Sequence, residues 1–61
     1  MFYGLEDAGG QVTDMSLTRP VAGEGFTVVE IENRKALKGV DRDRAHHFTV
    51  AGGVLSVVYD D

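Results

Sequence analysis

His46-His47-Phe48-Thr49-Val50-Ala51-Gly52-Gly53-Val54-Leu55-Ser56-Val57-Val58-Tyr59 is the stretch that decides the fold. Two runs rich in β-branched and aromatic residues, 46–50 and 54–59, flank Ala51-Gly52-Gly53. Such runs suit a pleated, half-buried surface, and a glycine pair supplies the positive φ of a tight reversal. The stretch predicts a β-hairpin. Alternate side chains of a strand point to opposite sides. On the second strand Leu55, Val57 and Tyr59 therefore form a wholly apolar face, and Val54, Ser56, Val58 and Asp60 a mixed one. A strand this apolar needs cover on both faces, and a small sheet covers only one of them well. A neighbouring chain is the expected cover for the other.

Moving outward, residues 2–6 and 11–17 flank Asp7-Ala8-Gly9-Gly10 and predict a first hairpin. Its second strand places Thr13, Met15 and Leu17 on one face, with Val12, Asp14 and Ser16 on the other. Residues 18–25 break any ladder, because Pro20 lacks a donor and Gly23 and Gly25 follow. Phe26-Thr27-Val28-Val29-Glu30-Ile31-Glu32 is a further strand, apolar on both faces near its start, which suits a central position. Asn33 can cap a helical turn or two over Arg34-Lys35-Ala36-Leu37-Lys38 with Gly39 as the stop. Basic residues crowd its start, where the macrodipole disfavours them, so an irregular turn is the competing expectation. Residues 41–45 are polar and expected to be exposed.

The predicted fold is mainly β: one small domain, residues 1–61, with four or five short strands in an antiparallel sheet or sandwich. It is built from two hairpins and has at most one short helix.

Twenty-one residues are Val, Leu, Ile, Phe, Tyr or Met and the net charge is only -4, a globular rather than a disordered balance. A chain this short buries only ~60% of the surface it exposes when unfolded, so hydrophobic gain and chain ordering nearly cancel. Small domains escape this through disulfides, a metal or association. With no cysteine, the first is excluded and the second weakened. Association is therefore expected, against the alternative of an ordinary small domain that is just stable by itself.

The N-terminal residues include no basic n-region and no apolar core of secretory length, so export by a cleaved signal is not expected. No apolar segment approaches the ~20 residues that span a bilayer, and no membrane partner is expected. Charge is uneven along the chain: residues 1–33 carry -5, residues 34–47 carry +3 and residues 48–61 carry -2. Complementary patches of this kind orient encounters between subunits, while a solvated mixed surface is the plainer explanation.

Recognised chemistry is missing at each place that invites it. His46 and His47 are neighbours in a strand, so they face opposite ways and cannot chelate one ion. Asp41 and Asp43 resemble the opening of a calcium loop, yet Ala45 and His46 stand where an oxygen ligand and a glycine are needed. The glycine-rich segments lack the context of a phosphate cradle. So small a domain has little scaffold for a concave catalytic pocket, and neither an enzyme, a cofactor nor a small-molecule substrate is expected. The negative net charge and the want of an aromatic stacking platform argue against nucleic acid.

The opening Phe2-Tyr3-Gly4-Leu5-Glu6-Asp7-Ala8-Gly9-Gly10-Gln11-Val12-Thr13-Asp14-Met15 and the closing residues 47–58 resemble small proteins encoded among the structural genes of tailed bacteriophages. The resemblance covers both ends and not the middle, and it carries over no functional residue. It implies a virion component that decorates, joins or plugs larger capsid or tail proteins.

Tyr3, Phe26, Phe48 and Tyr59 are expected anchors of core or interface, since aromatics bury large area with few torsions to freeze. The two tyrosines suit a rim where the hydroxyl stays wet. The expected contact residues are Phe26, Val28, Phe48, Leu55, Val57 and Tyr59, with Arg42 and Arg44 steering at the edge. The expected partners are further copies of the chain or larger capsid or tail proteins. A small cytoplasmic regulator that binds and inhibits a host protein is the alternative.

Overall fold

The computed structural model describes all 61 residues. Five strands, β1 (Phe2–Glu6), β2 (Val12–Ser16), β3 (Thr27–Ile31), β4 (His46–Ala51) and β5 (Val54–Tyr59), form one antiparallel sheet in the order β3-β1-β2-β4-β5. A single 3-10 turn, Lys35–Gly39, is the only helical element. The fold is mainly β, as the strand signals predict.

Both hairpins form where the glycine pairs stand. At the first, Asp7 Oδ1 accepts from the N–H groups of Gly9 (2.9 Å) and Gln11 (3.0 Å), and Gly10 takes φ 86°. The aspartate thus supplies the turn with the carbonyl-like acceptor that an Asx turn uses. At the second, Gly52 and Gly53 take φ 58° and 80°, and β4 and β5 pair residue for residue from His46–Tyr59 to Ala51–Val54.

Two expectations are corrected. Residues 26–32 were expected to form a central strand, yet β3 lies at the sheet's edge, paired only with β1. Its side-chain pattern is that of two partly covered faces, and such a pattern carries no information about which edges are paired. Glu30 on the strand suits an open edge, where charge discourages stray pairing. The second correction concerns β2. Strict alternation puts Val12 and Met15 on opposite faces, but Asp14 takes φ 52° and three steps of β2 span two of β1, from Leu5–Thr13 to Tyr3–Ser16. This extra residue is a β-bulge. It returns Met15 to the inner side with Val12, where both stand against Gly4.

The sheet curls until its edges touch. Beyond β3 the chain bends so that the N–H groups of Glu32 and Asn33 reach Gly53 O (2.8 and 3.0 Å) and Leu55 N–H reaches Asn33 O (2.8 Å). Asn33 and Val54 form a parallel bridge there. The inner face of this partly closed barrel carries Phe2, Val12, Met15, Val29, Ile31, Phe48, Leu55 and Val57, as the strand registers require. Its interior is small: only five residues are buried, Gly4, Leu5, Val12, Ile31 and Leu55.

The connection between β2 and β3, residues 17–26, travels the length of the sheet from the end of Phe2 and Ile31 to the end of Glu6 and Thr27. It runs over the outer face, where the Arg19 guanidinium lies 5.6 Å from the Tyr3 ring and 3.7 Å from Glu30. Leu5 is buried on this same outer face, between Val28 and Thr13.

Candidate interaction surface

The residues expected to make contacts fall into three groups. Leu55 belongs to the interior: at 3% exposure it is sealed beneath the edge contact and is a core residue rather than an interface one. Val57 and Phe48 pair across β4 and β5 on the inner face and are half-buried. Val28 is half-buried on the outer face beside Leu5, and Phe26, just before β3, is 43% exposed.

Tyr59 and Arg44 form a clasp rather than a free rim. The Arg44 guanidinium sits 3.9 Å from the Tyr59 ring and holds both oxygens of Asp61 at 2.9 to 3.1 Å through Nε and Nη2. Its hydrogen bonds hold the Asp61 carboxyl below its ordinary range, outweighing the opposing effect of burial, and the same bond raises the Arg44 guanidinium. The Tyr59 hydroxyl accepts from Asp41 N–H at 3.0 Å, which pins the loop of residues 40–45 to β5. Arg44 was expected to steer partners, but its charge is matched within the chain. Arg42, by contrast, is exposed and enters no ion pair or side-chain hydrogen bond.

The adjacent histidines are held apart. Strand parity puts His46 on the inner face, its ring 5.5 Å from Phe48 and 6.2 Å from Tyr59. Its Nδ1 lies 2.8 Å from Arg44 O, and since a carbonyl only accepts, that nitrogen carries the proton. His47 is on the outer face, Nδ1 2.8 Å from Asp60. No three His, Asp or Glu side chains converge in a metal-binding group.

What sequence reasoning missed is a hollow of about 390 Å³ between the 3-10 turn and β4, lined by Leu37, Val40, Arg42, His46 and Phe48. Asn33 Oδ1 accepts from Lys35 N–H at 3.0 Å, but the N-cap of the 3-10 turn is Arg34 rather than the expected Asn33, and Gly39, the expected stop, lies within the turn, which stands Leu37 over the sheet. The apolar Leu37 and Val40 on a basic segment were the available signal. Arg42 on the rim of this hollow lacks an acidic partner within the chain. Arg34, Lys35 and Lys38, which line a separate hollow with Glu32 and Asn33, form no ion pair either, although Arg34 stacks 4.7 Å from the Phe2 ring.

No family model, no curated protein and no solved structure matches this chain.

Proposed function

We propose that this chain is a non-enzymatic structural protein that docks on or between larger subunits, as an accessory, decoration or connector component of a bacteriophage virion, in capsid or tail. The observation that carries the reading is the poverty of its interior. Four apolar side chains are buried, while Leu17, Val21, Phe26, Val54 and Val58 stand in solvent. The accessible surface of 4196 Å² exceeds the roughly 3,900 Å² of a compact monomer of this mass. Anything that binds only the folded form adds to its stability by mass action, so a domain this thinly cored gains most from subunits around it. The resemblance of both chain ends to small phage structural proteins supplies the virion context. Further copies of the chain, or larger capsid or tail proteins, are the partners, and no nucleic acid, membrane or small molecule is needed.

The test is quantitative mass spectrometry of particles purified from cells that make the protein, together with light scattering and thermal melting of the isolated chain. The proposal expects a constant ratio to a major capsid or tail subunit, and a chain that melts at low temperature unless associated. Absence from particles, or a solitary and heat-resistant monomer, would overturn it.

A further inference from the structure

One edge of the sheet carries backbone groups that meet nothing. β3 pairs with β1 alone, in an unbroken register from Phe2–Ile31 to Glu6–Thr27. In an antiparallel pair the bonded residues recur at every second position, so a strand turns alternate peptide groups to one neighbour and the rest to the other. At the first hairpin Asp7 N–H donates to Gln11 O at 3.0 Å, which assigns the groups of Asp7 and Leu5 to β2 and those of Gly4 and Glu6 to β3. Their partners Val29 and Thr27 are therefore bonded to β1, and Val28 and Glu30 turn their N–H and C=O groups outward. Glu32 continues the same series, and its N–H does point away from β1, reaching Gly53 O at 2.8 Å. No bond outside the ladders involves the peptide groups of Val28 or Glu30. A row of this kind is a template for another strand.

The open stretch is bounded on both sides. Phe26 N–H is taken by Gly23 O at 3.1 Å and Glu32 N–H by Gly53 O, which leaves the groups of Val28 and Glu30, placed symmetrically about Val29. β3 has no proline, no lysine and no bulge, and Thr27, Val28, Val29 and Ile31 are all β-branched. Its one blunting charge, Glu30, lies 3.7 Å from Arg19. The opposite edge differs, because Leu55 N–H is already given to Asn33 O and the 3-10 turn packs against β5.

We propose that two copies of this chain join their β3 edges antiparallel, about a two-fold axis at Val29. Val28 of each copy then exchanges both bonds with Glu30 of the other, so all four open groups of each copy are used and none is left over. A two-fold junction needs a patch that matches itself, and a stretch symmetric about one residue does so. A longer foreign strand would find the N–H groups of Phe26 and Glu32 taken, whereas a second copy ends its own open stretch at the same two places. Glu30 selects this register. Sliding the strands until Glu30 faces its own copy sets like charges directly opposite, which is destabilising, while the axis at Val29 sets it against Val28. The two five-stranded sheets become one of ten. This partner rests on the docking role proposed above and makes it specific to a second copy.

The isolated chain tests it. Sedimentation over a concentration series is expected to show a monomer–dimer equilibrium, and hydrogen exchange to show the Val28 and Glu30 amides gaining protection as concentration rises. Glu30→Pro removes an N–H without a partner in its own chain, so circular dichroism is expected to show an intact fold and sedimentation a dimer weakened on the order of tenfold or more. With no cysteine in the sequence, a single one can bridge only between copies. Val29 faces its own copy as a non-bonded pair, with Cα atoms about 4.5 Å apart, which a disulfide can span. Val29→Cys is expected to oxidise to a covalent dimer, and Thr27→Cys, which faces Ile31 of the other copy, to stay uncrosslinked. A chain monomeric at every concentration, exchange that ignores concentration, a Glu30→Pro chain that dimerises like wild type, or equal cross-linking at the two cysteine positions would each overturn the junction. If Glu30→Pro does not fold, exchange and cross-linking decide alone. A chain that is monomeric alone yet present at fixed ratio in particles refutes the junction and leaves the structural role, and a chain that dimerises through Val29 yet is absent from particles does the reverse.

Discussion

Gly4 stands so close to Val12 that a methyl group in place of its hydrogen would lie 2.6 Å from Val12 Cγ1. Val12 is 2% exposed and β-branched, so it has neither room nor a second rotamer to yield. The bulge in β2 brings Met15 Cγ to 3.3 Å from the same point and Ile31 Cδ1 to 3.5 Å. Gly4→Ala therefore overpacks the interior and is expected to cost about 1–3 kcal/mol, seen as a lower denaturant midpoint with an unchanged slope. A variant as stable as the wild type would show that β1 and β2 separate at little cost.

Ile31 is also 2% exposed and bridges β1 to the bend that closes the sheet. Truncation to alanine removes three carbons from an interior with few neighbours to collapse inward, a change that typically costs about 2–5 kcal/mol. For a domain of this size that is most of the stability available. Ile31→Ala is expected to be unfolded at room temperature by amide chemical-shift dispersion, and Val57→Asp, which puts a carboxylate beside Phe48, is expected to behave alike. Ile31→Val is expected to remain folded.

Asp14 holds φ 52°, a left-handed backbone that costs an ordinary L residue about 1–2 kcal/mol and glycine almost nothing. Asp14→Gly is therefore expected to melt no lower than the wild type, while Asp14→Val destabilises by about 1–2 kcal/mol because a β-branched side chain fits that region worst. Equal melting temperatures for the glycine and valine variants would mean that the bulge is absent in solution.

The Arg44–Asp61 clasp sets a pH dependence whose sign follows from the lowered Asp61 carboxyl. The unfolded chain binds this proton more readily than the folded one. The stabilisation is thus complete above the unfolded carboxylate value of about 4 and fades as pH falls through the lower folded value. Both groups are solvent-exposed, so the effect is small. Thermal melts of Asp61→Asn are expected to lie slightly below the wild type at neutral pH and to converge with it in strong acid. A difference that grows on acidification would contradict the assignment.

Much of the architecture was readable from local chemistry. Gly10, Gly52 and Gly53 mark their reversals because positive φ is a backbone requirement, independent of what lies elsewhere in the chain. Likewise Leu55, Val57 and Tyr59 share the inner face because strand parity is local. The candidate surface was only half legible. Phe26 is 43% exposed and Arg42 makes no ion pair, while Arg44 is spent on Asp61 and Leu55 on the core. Those two assignments depend on partners 17 residues away or across the barrel, which no pattern within a strand encodes.

The amino-acid sequence by itself determined the two hairpins, the β3 strand, the Asn33 turn and a globular apolar content. These follow from backbone preference, side-chain alternation and total content, which are properties of short segments or of the whole composition. Only the tertiary structure decided that β3 lies at an edge, that Asp14 bulges, that Asn33 closes the sheet on Val54, and that Leu37 and Val40 frame a hollow on the face opposite the crossing loop. Each of these depends on which distant segments meet, and that choice is made by the packing of side chains from several strands against one another.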